Sequence, residues 1–294
     1  MSKVSLSIAG QREQLLELGL LDSNGSLEHA LYDHGYFRLS GYFRYFQIDP
    51  KKGRNGFAHG ADFSEIYEIY KMDAKLRNLL LEGLAEVEVA LRSVLTTVLC
   101  QPGKPGNEYL VESTYEHRFN KKGDDLRAIL LSDIDKDIKR SKEPHVVHYR
   151  QGPTDVPLWV ATEALSFGAV SRIHSLLASK NRADAIAGRF KYDGGITRNF
   201  ASNMRATVVF RNLCAHHGRL WNRQFTEVAP TAFSGLHEQG LVAYNYTETA
   251  WGFIAVLNHM VAAVRGDNTF KQKIDSLVPR SGAYWDGLVS PNAT

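Results

Sequence analysis

The segment RNLCAHHGRLWNR, residues 211–223, places two histidines five and six positions after an arginine. Histidine titrates near neutral pH, so it can take a proton from a ribose 2′-hydroxyl or return one to a leaving 5′-oxygen. Arginine can hold a scissile phosphate with two parallel hydrogen bonds and stabilise the extra charge of the transition state. Arg211 and His216 together could therefore cleave RNA without a metal, leaving a cyclic phosphate and a 5′-hydroxyl. One histidine performs half of the proton transfers; His217 or a second copy of the chain would supply the rest. Plainer readings compete. A histidine at a helix end can simply cap the last carbonyls, and Arg211 can be a buried ion-pair residue. A metal site built from Cys214, His216 and His217 with His145 and His148 is a third reading. Adjacent histidines on a helix point about 100° apart, which suits a shared ion poorly.

The element carrying this segment reads as a helix over residues 197–217 that stops at Gly218. On its wheel Phe200, Met204, Val208 and Ala215 form an apolar stripe with Arg211 in the middle. A guanidinium set against a core needs a partner. The candidates are Asp73, Glu86, Glu88, Glu163 or a ligand's phosphate. His216 lies about 140° from Arg211 on an ideal helix. It shares a face instead with Asn212, Arg198 and Arg205, a ladder of polar and cationic groups suited to successive phosphates. Arg211 and His216 converge only if the last turn unwinds, for which Gly218 offers a route, or across a subunit interface.

Other elements must frame that helix. Residues 10–21 read as a short helix ended by Asp22-Ser23-Asn24-Gly25, and Ser26 is expected to cap the next. The block YFRLSGYFRYF, residues 36–46, is too aromatic for a solvated loop. It reads either as a wedge packed under neighbouring helices or as a stacking surface for bases, with Arg38 and Arg44 interleaved. A loop containing Pro50, Gly53, Gly56 and Gly60 follows. Over residues 62–99 apolar positions recur at three- and four-residue steps, predicting a long helix or two pieces broken near Gly83. Asp73 and Arg77, like Glu88 and Arg92, have the i,i+4 spacing that pairs opposite charges. Residues 101–155 read as a polar excursion. Pro157 starts another helix, with LWVATEALSFGAVSRIHSLLAS supplying roughly two dozen helical residues. A last helix is expected over about 247–265.

The whole is expected to be all-α. Apolar residues make up 44% of 294 and charged residues 23%, so a folded core is expected rather than disorder. A net charge of +3 permits a basic groove without requiring one. Two cysteines 114 positions apart give no disulfide framework, which fits a reducing compartment. No window has the ~18 apolar residues of a membrane span, and the first residues lack a signal-peptide core. The expectation is a cytoplasmic chain with no membrane partner.

Four blocks in order, FRLSGYFRYF, AEVEVALRSVL, PLWVATEALSFGAVS and RNLCAHHGRLWNR, resemble the Abi family of bacterial abortive-infection proteins (the AbiD/AbiF-like group) of the HEPN superfamily. The resemblance covers about residues 10–265, and its last block is the most specific. It implies a HEPN-like helical bundle, phage defence by growth arrest, and metal-independent endoribonuclease activity in a homodimer whose R-x4-6-H motifs face one another. Carried over, Arg211 and His216 are the motif pair, with Asn212 beside the arginine and His217 satisfying the looser spacing. Glu88 and Arg92 fall where HEPN proteins often keep supporting polar residues. Arg198, Arg205, Arg219, Arg38 and Arg44 are the candidate RNA contacts. No metal and no cofactor are expected. The organisation expected is an N-terminal helical and aromatic segment over 1–61, a core over 62–265 and a tail over 266–294. A non-catalytic RNA-binding protein that holds a small non-coding RNA, or acts as a regulatory component of a defence system, is the competing reading.

Overall fold

In the computed structural model, which describes residues 4–52, 55–233, 236 and 247–291, the chain opens with α1 (Ile8–Glu17). Gly53, expected in a loop, lies outside the described residues. Ser7 caps α1 by accepting the Gly10 N–H at 3.1 Å. The start of α2 (Leu27–His34) is closed differently from the expectation. Ser26 stands at the cap position, but its hydroxyl is turned to Asn24, and Asp22 Oδ1 accepts the Leu27 N–H at 3.1 Å. Gly35, at φ +77°, then reverses the chain into α3 (Tyr36–Phe43), a conformation that costs glycine little.

The periodic stretch after the loop forms one continuous helix, α4 (Phe63–Leu99), capped by Asp62 through the Ser64 N–H at 2.8 Å. Its 37 residues span about 56 Å at 1.5 Å per residue. Gly83 does not break it. The missing side chain is a socket: a Cβ there would lie 2.5 Å from Cζ of Phe270.

The polar excursion folds back onto the core. It contains α5 (Leu126–Arg140) and α6 (Pro144–Gln151), which bury Leu130, Ile134 and Val146. The expected long helix after Pro157 is instead two, α7 (Leu158–Ala164) and α8 (Phe167–Ser175). Ser166 makes the break: its hydroxyl accepts the Ala169 N–H at 3.3 Å, and its own N–H goes to Asp137 at 2.8 Å. Arg92 takes the carbonyls of Thr162 (2.8 Å) and Leu165 (3.0 Å) that the broken helix leaves over.

Next come α9 (Lys180–Arg189) and α10 (Thr197–Ala215), then α11 (Ala250–Arg265). Every residue of α11 from Ala250 to Leu257 is buried, as expected of a helix that is apolar on all sides. It lies against α4, α10 and the helices after it, which makes it the centre of the bundle. The stretch after Gly266, read from sequence as a tail, carries α12 (Thr269–Leu277) and α13 (Ala283–Val289). Among the described residues the fold is all-α, with thirteen α-helices and only isolated β-bridges. No helix among these residues is long and apolar enough to cross a membrane.

Candidate active site

The buried face of α10 runs through Phe200, Met204, Thr207, Phe210 and Cys214. The stripe drawn from the wheel is therefore rotated: Val208 is only partly buried and Ala215 is exposed. Arg211 sits on the rim of the buried face, its side chain 31% exposed. Its partner is Glu88 of α4. Arg211 Nε reaches Oε2 at 3.0 Å, and Nη2 reaches Oε1 at 3.0 Å and Oε2 at 2.9 Å. This is the two-pronged geometry a planar guanidinium makes with a carboxylate. Arg211 Nη1 donates to Asn212 Oδ1 at 3.0 Å, and the guanidinium lies 5.8 Å from the Phe167 ring centre.

Glu88 also accepts from Arg92 at 2.7 Å. One carboxylate thus stands between two guanidinium groups and leaves a net positive charge at the rim. Arg92 is fixed in turn by the carbonyls at the α7–α8 break. The helix break, Arg92, Glu88 and Arg211 form one rigid series.

The end of α10 has a backbone geometry of its own. Helical conformation stops at Ala215, with His216 as the C-cap (φ −90°, ψ 17°) and His217 at φ +56°. The His217 N–H donates to Cys214 O at 3.0 Å and the Gly218 N–H to Leu213 O at 2.8 Å. These are the paired bonds that usually close a helix around a left-handed glycine. Here a histidine occupies the left-handed position, which costs roughly 1–2 kcal/mol, and the glycine follows it. Gly218 is required by space, since a Cβ there would meet Leu213 Cδ1 at 2.1 Å. Both histidines are exposed, and among the described residues neither imidazole hydrogen-bonds to another side chain. The last turn stays helical up to the His216 N–H, which donates to Asn212 O at 3.0 Å, and among the described residues no hydrogen bond joins either imidazole to Arg211.

Beyond Gly218 the chain turns inward and is held by a group whose role the sequence does not reveal. Asp73 of α4, fully buried, accepts the Leu220 N–H on Oδ2 and the Trp221 N–H on Oδ1, each at 3.1 Å. Its Oδ2 also receives the Tyr42 hydroxyl at 2.6 Å and Arg77 Nη1 at 2.5 Å. Burial pushes the Asp73 carboxyl up, while Arg77 and these hydrogen bonds pull against it. Burial, with Asp73 close by, raises the Tyr42 hydroxyl and pushes the Cys214 thiol up to about 12. Cys214 is therefore an inert core thiol, buried where both histidines are exposed. Among the described residues no group of three or more His, Cys, Asp or Glu side chains is placed to hold a metal ion.

The aromatic block meets the motif here. Tyr42 stacks on Trp221 at 6.0 Å, and Tyr45 meets the same indole edge-on at 4.9 Å. Arg38 Nη1 donates to the His217 carbonyl at 2.8 Å. Gly41 admits Arg219, whose Nε would lie 2.9 Å from a Cβ there. Arg219 Nη1 donates to the carbonyls of Trp221 (2.8 Å) and Asn222 (2.7 Å), so Arg219 is absorbed into the loop rather than presented to a ligand. From the other side the Asn222 N–H donates to Gly287 O at 2.8 Å, and Trp221 Nε1 to Ala283 O at 3.0 Å. Helix α13 thereby closes over the loop. Of the block's rings, Leu39's neighbours Tyr42 and Phe43 are buried and Phe37 alone projects outward, 93% exposed. Arg44, Arg198 and Arg205 are exposed, and among the described residues none has an ion pair.

Residues 29–222 match the profile of the Abi-like protein family. That span runs from α2 through the aromatic block, α4 and the α7–α8 break to the end of the motif loop. No curated protein and no solved structure matches the chain.

Proposed function

Since this chain belongs to the Abi-like protein family, we propose that it acts in abortive phage defence as a cytoplasmic, metal-independent endoribonuclease of the HEPN type. The observation that carries the reading is the end of α10. Two exposed imidazoles, neither hydrogen-bonded to a side chain among the described residues, stand on a strained, clamped turn, one helical turn beyond a partly exposed arginine oriented by Glu88. Strain of this kind persists where the surroundings over-determine it, and it clusters at functional sites.

In this mechanism His216 takes the proton of the ribose 2′-hydroxyl as that oxygen attacks phosphorus. Arg211 holds the non-bridging oxygens with its Nη1 face and neutralises the charge they gain. The 5′-oxygen leaves with a proton from a second imidazole, either His217 or a histidine of a second copy. The products are a 2′,3′-cyclic phosphate and a 5′-hydroxyl. The domain that performs this spans 62–265, with the N-terminal segment clamping the histidine turn. Arg198, Arg205, Arg44 and Arg38 supply phosphate contacts. A homodimer would bring two motif helices together and provide the second histidine. Cleavage of RNA in EDTA, lost in His216→Ala or His217→Ala variants that remain folded, tests the proposal. Cleavage surviving in the variant lacking both histidines overturns it.

One observation favours a second reading. Glu88 already satisfies three of the hydrogen bonds Arg211 can make, while Arg44, Arg198 and Arg205 are exposed and have no ion pair among the described residues. A protein that holds a small RNA without cutting it would use those cations and leave Arg211 structural. Salt-sensitive RNA binding with no products at any enzyme concentration would select this reading.

A further inference from the structure

We propose that Asp73 is a positioning residue: its buried carboxylate latches the turn carrying His216 and His217 to α4 and to the aromatic block. The inference rests on the nuclease reading for its functional half, and on geometry alone for its structural half. A carboxylate buried in a helical core is costly unless donors surround it. Asp73 has four donors from three separate parts of the chain. Tyr42 comes from α3, Arg77 from one turn along α4, and the Leu220 and Trp221 amides from the motif loop. If the carboxylate served only to neutralise Arg77, it would not need the two loop amides, and those amides have no helix or sheet to bond within. The arrangement is what fixes a short irregular segment against a rigid rod.

The consequence reaches the histidines because little slack lies between. Only Arg219 separates Gly218, bonded back to α10, from Leu220, bonded to Asp73. The His217 carbonyl is held over the same stretch by Arg38. His217 is thereby kept at φ +56° from both ends. Releasing the Asp73 end frees the turn to relax toward the backbone conformations a histidine ordinarily prefers.

Amide hydrogen exchange on the full chain, read residue by residue, tests this together with RNA cleavage. In the wild type the Leu220 and Trp221 amides should exchange at least tenfold more slowly than the neighbouring Arg219 amide, which has no acceptor among the described residues. Asp73→Asn can present an acceptor oxygen to one side only, so it loses a loop amide in either orientation: Trp221 if the oxygen stays toward Tyr42, Arg77 and Leu220, or Leu220 with Tyr42 and Arg77 if it turns toward Trp221. It should speed exchange across 216–222 at least tenfold while exchange in α11 changes less than threefold. It should also lower kcat for single-stranded RNA at least tenfold with KM changed less than threefold.

Wild-type Leu220 and Trp221 amides exchanging as fast as Arg219 would overturn the latch without recourse to any variant. So would Asp73→Asn speeding exchange uniformly through the chain, or leaving the loop unchanged. A wild type that cuts no RNA would sink the nuclease reading, while the exchange data would still decide the latch.

Discussion

Replacing Glu88 with glutamine should be more damaging to stability than replacing the motif arginine it holds. Glu88 is 13% exposed and serves two guanidinium groups, Arg92 at 17% and Arg211 at 31% exposure. Glu88→Gln leaves both cations without a counter-charge. Removing the shared partner of a fully buried pair costs about 3–5 kcal/mol; the exposure of Arg211 lowers the expectation here to about 2–4 kcal/mol. Arg211→Gln leaves Glu88 neutralised by Arg92 at 2.7 Å, so it should cost only about 1–2 kcal/mol. A double-mutant cycle by urea unfolding measures the rest. The two changes should couple by at least about 1 kcal/mol, well beyond the ~0.5 kcal/mol scatter of independent sites. Raising the salt to 0.5 M should erode little of that coupling, since partly buried pairs are poorly screened. Additive effects, or an Arg211→Gln variant less stable than Glu88→Gln, would refute the picture of one carboxylate organising two arginines.

Other perturbations read different parts of the molecule. Burial lowers the His174 pKa to about 4 from 6.5, so the unfolded chain takes up its proton first as the pH falls. The neutral ring's contribution is therefore complete above pH 6.5 and is lost toward pH 4, in all about 3 kcal/mol at 1.36 kcal/mol per unit; urea unfolding at pH 4.5 and 7 should show the loss, and His174→Gln should flatten it. His217→Gly relieves the left-handed strain and should raise stability by about 1 kcal/mol while reducing RNA cleavage; a destabilised variant would mean the turn is not strained. Gly83→Ala forces a Cβ onto the Phe270 ring and should cost about 1–3 kcal/mol, read as a lowered Tm. Phe37→Ala should weaken single-stranded RNA binding by about 1–3 kcal/mol if the projecting ring stacks on a base, with Phe37→Trp restoring it; equal affinity in all three removes Phe37 from the RNA surface.

The helices were legible because burial writes its period into the sequence. Of the periodic positions of α4, Ile66, Ile69, Leu76, Leu80, Leu84, Val87 and Leu91 are buried as their spacing implies, while Tyr70, Val94 and Val98, read as part of the same stripe, are only partly buried and Leu95 and Leu99 take the core positions at the C-terminal end. The i,i+4 pairs Asp73–Arg77 and Glu88–Arg92 were legible for the same local reason. Glu88 was among four carboxylates that could meet Arg211, but choosing it needed the packing of α10 on α4. The split at Ser166 was hidden because an apolar run does not show where a distant arginine and aspartate will take over its backbone groups. Ser26 looked like a cap, yet Asp22 closes α2 from five residues away. Asp73 as the anchor of the motif loop was out of reach: its partners lie 147 and 148 positions on and are backbone amides, which no side-chain pattern marks. The aromatic block was read as wedge or stacking surface, and the rings around Trp221 form the wedge while Phe37 points out.

The turn at the end of α10 is proposed to cut RNA. Single-turnover incubation of a 5′-labelled single-stranded RNA with excess protein in EDTA tests it most directly, using the wild type and a His216→Ala/His217→Ala variant of matched exchange protection in α4. Wild-type protein should give fragments ending in 2′,3′-cyclic phosphate with new 5′-hydroxyl ends, and the variant none. Intact RNA with the wild type, or the same fragments from both proteins, would contradict it.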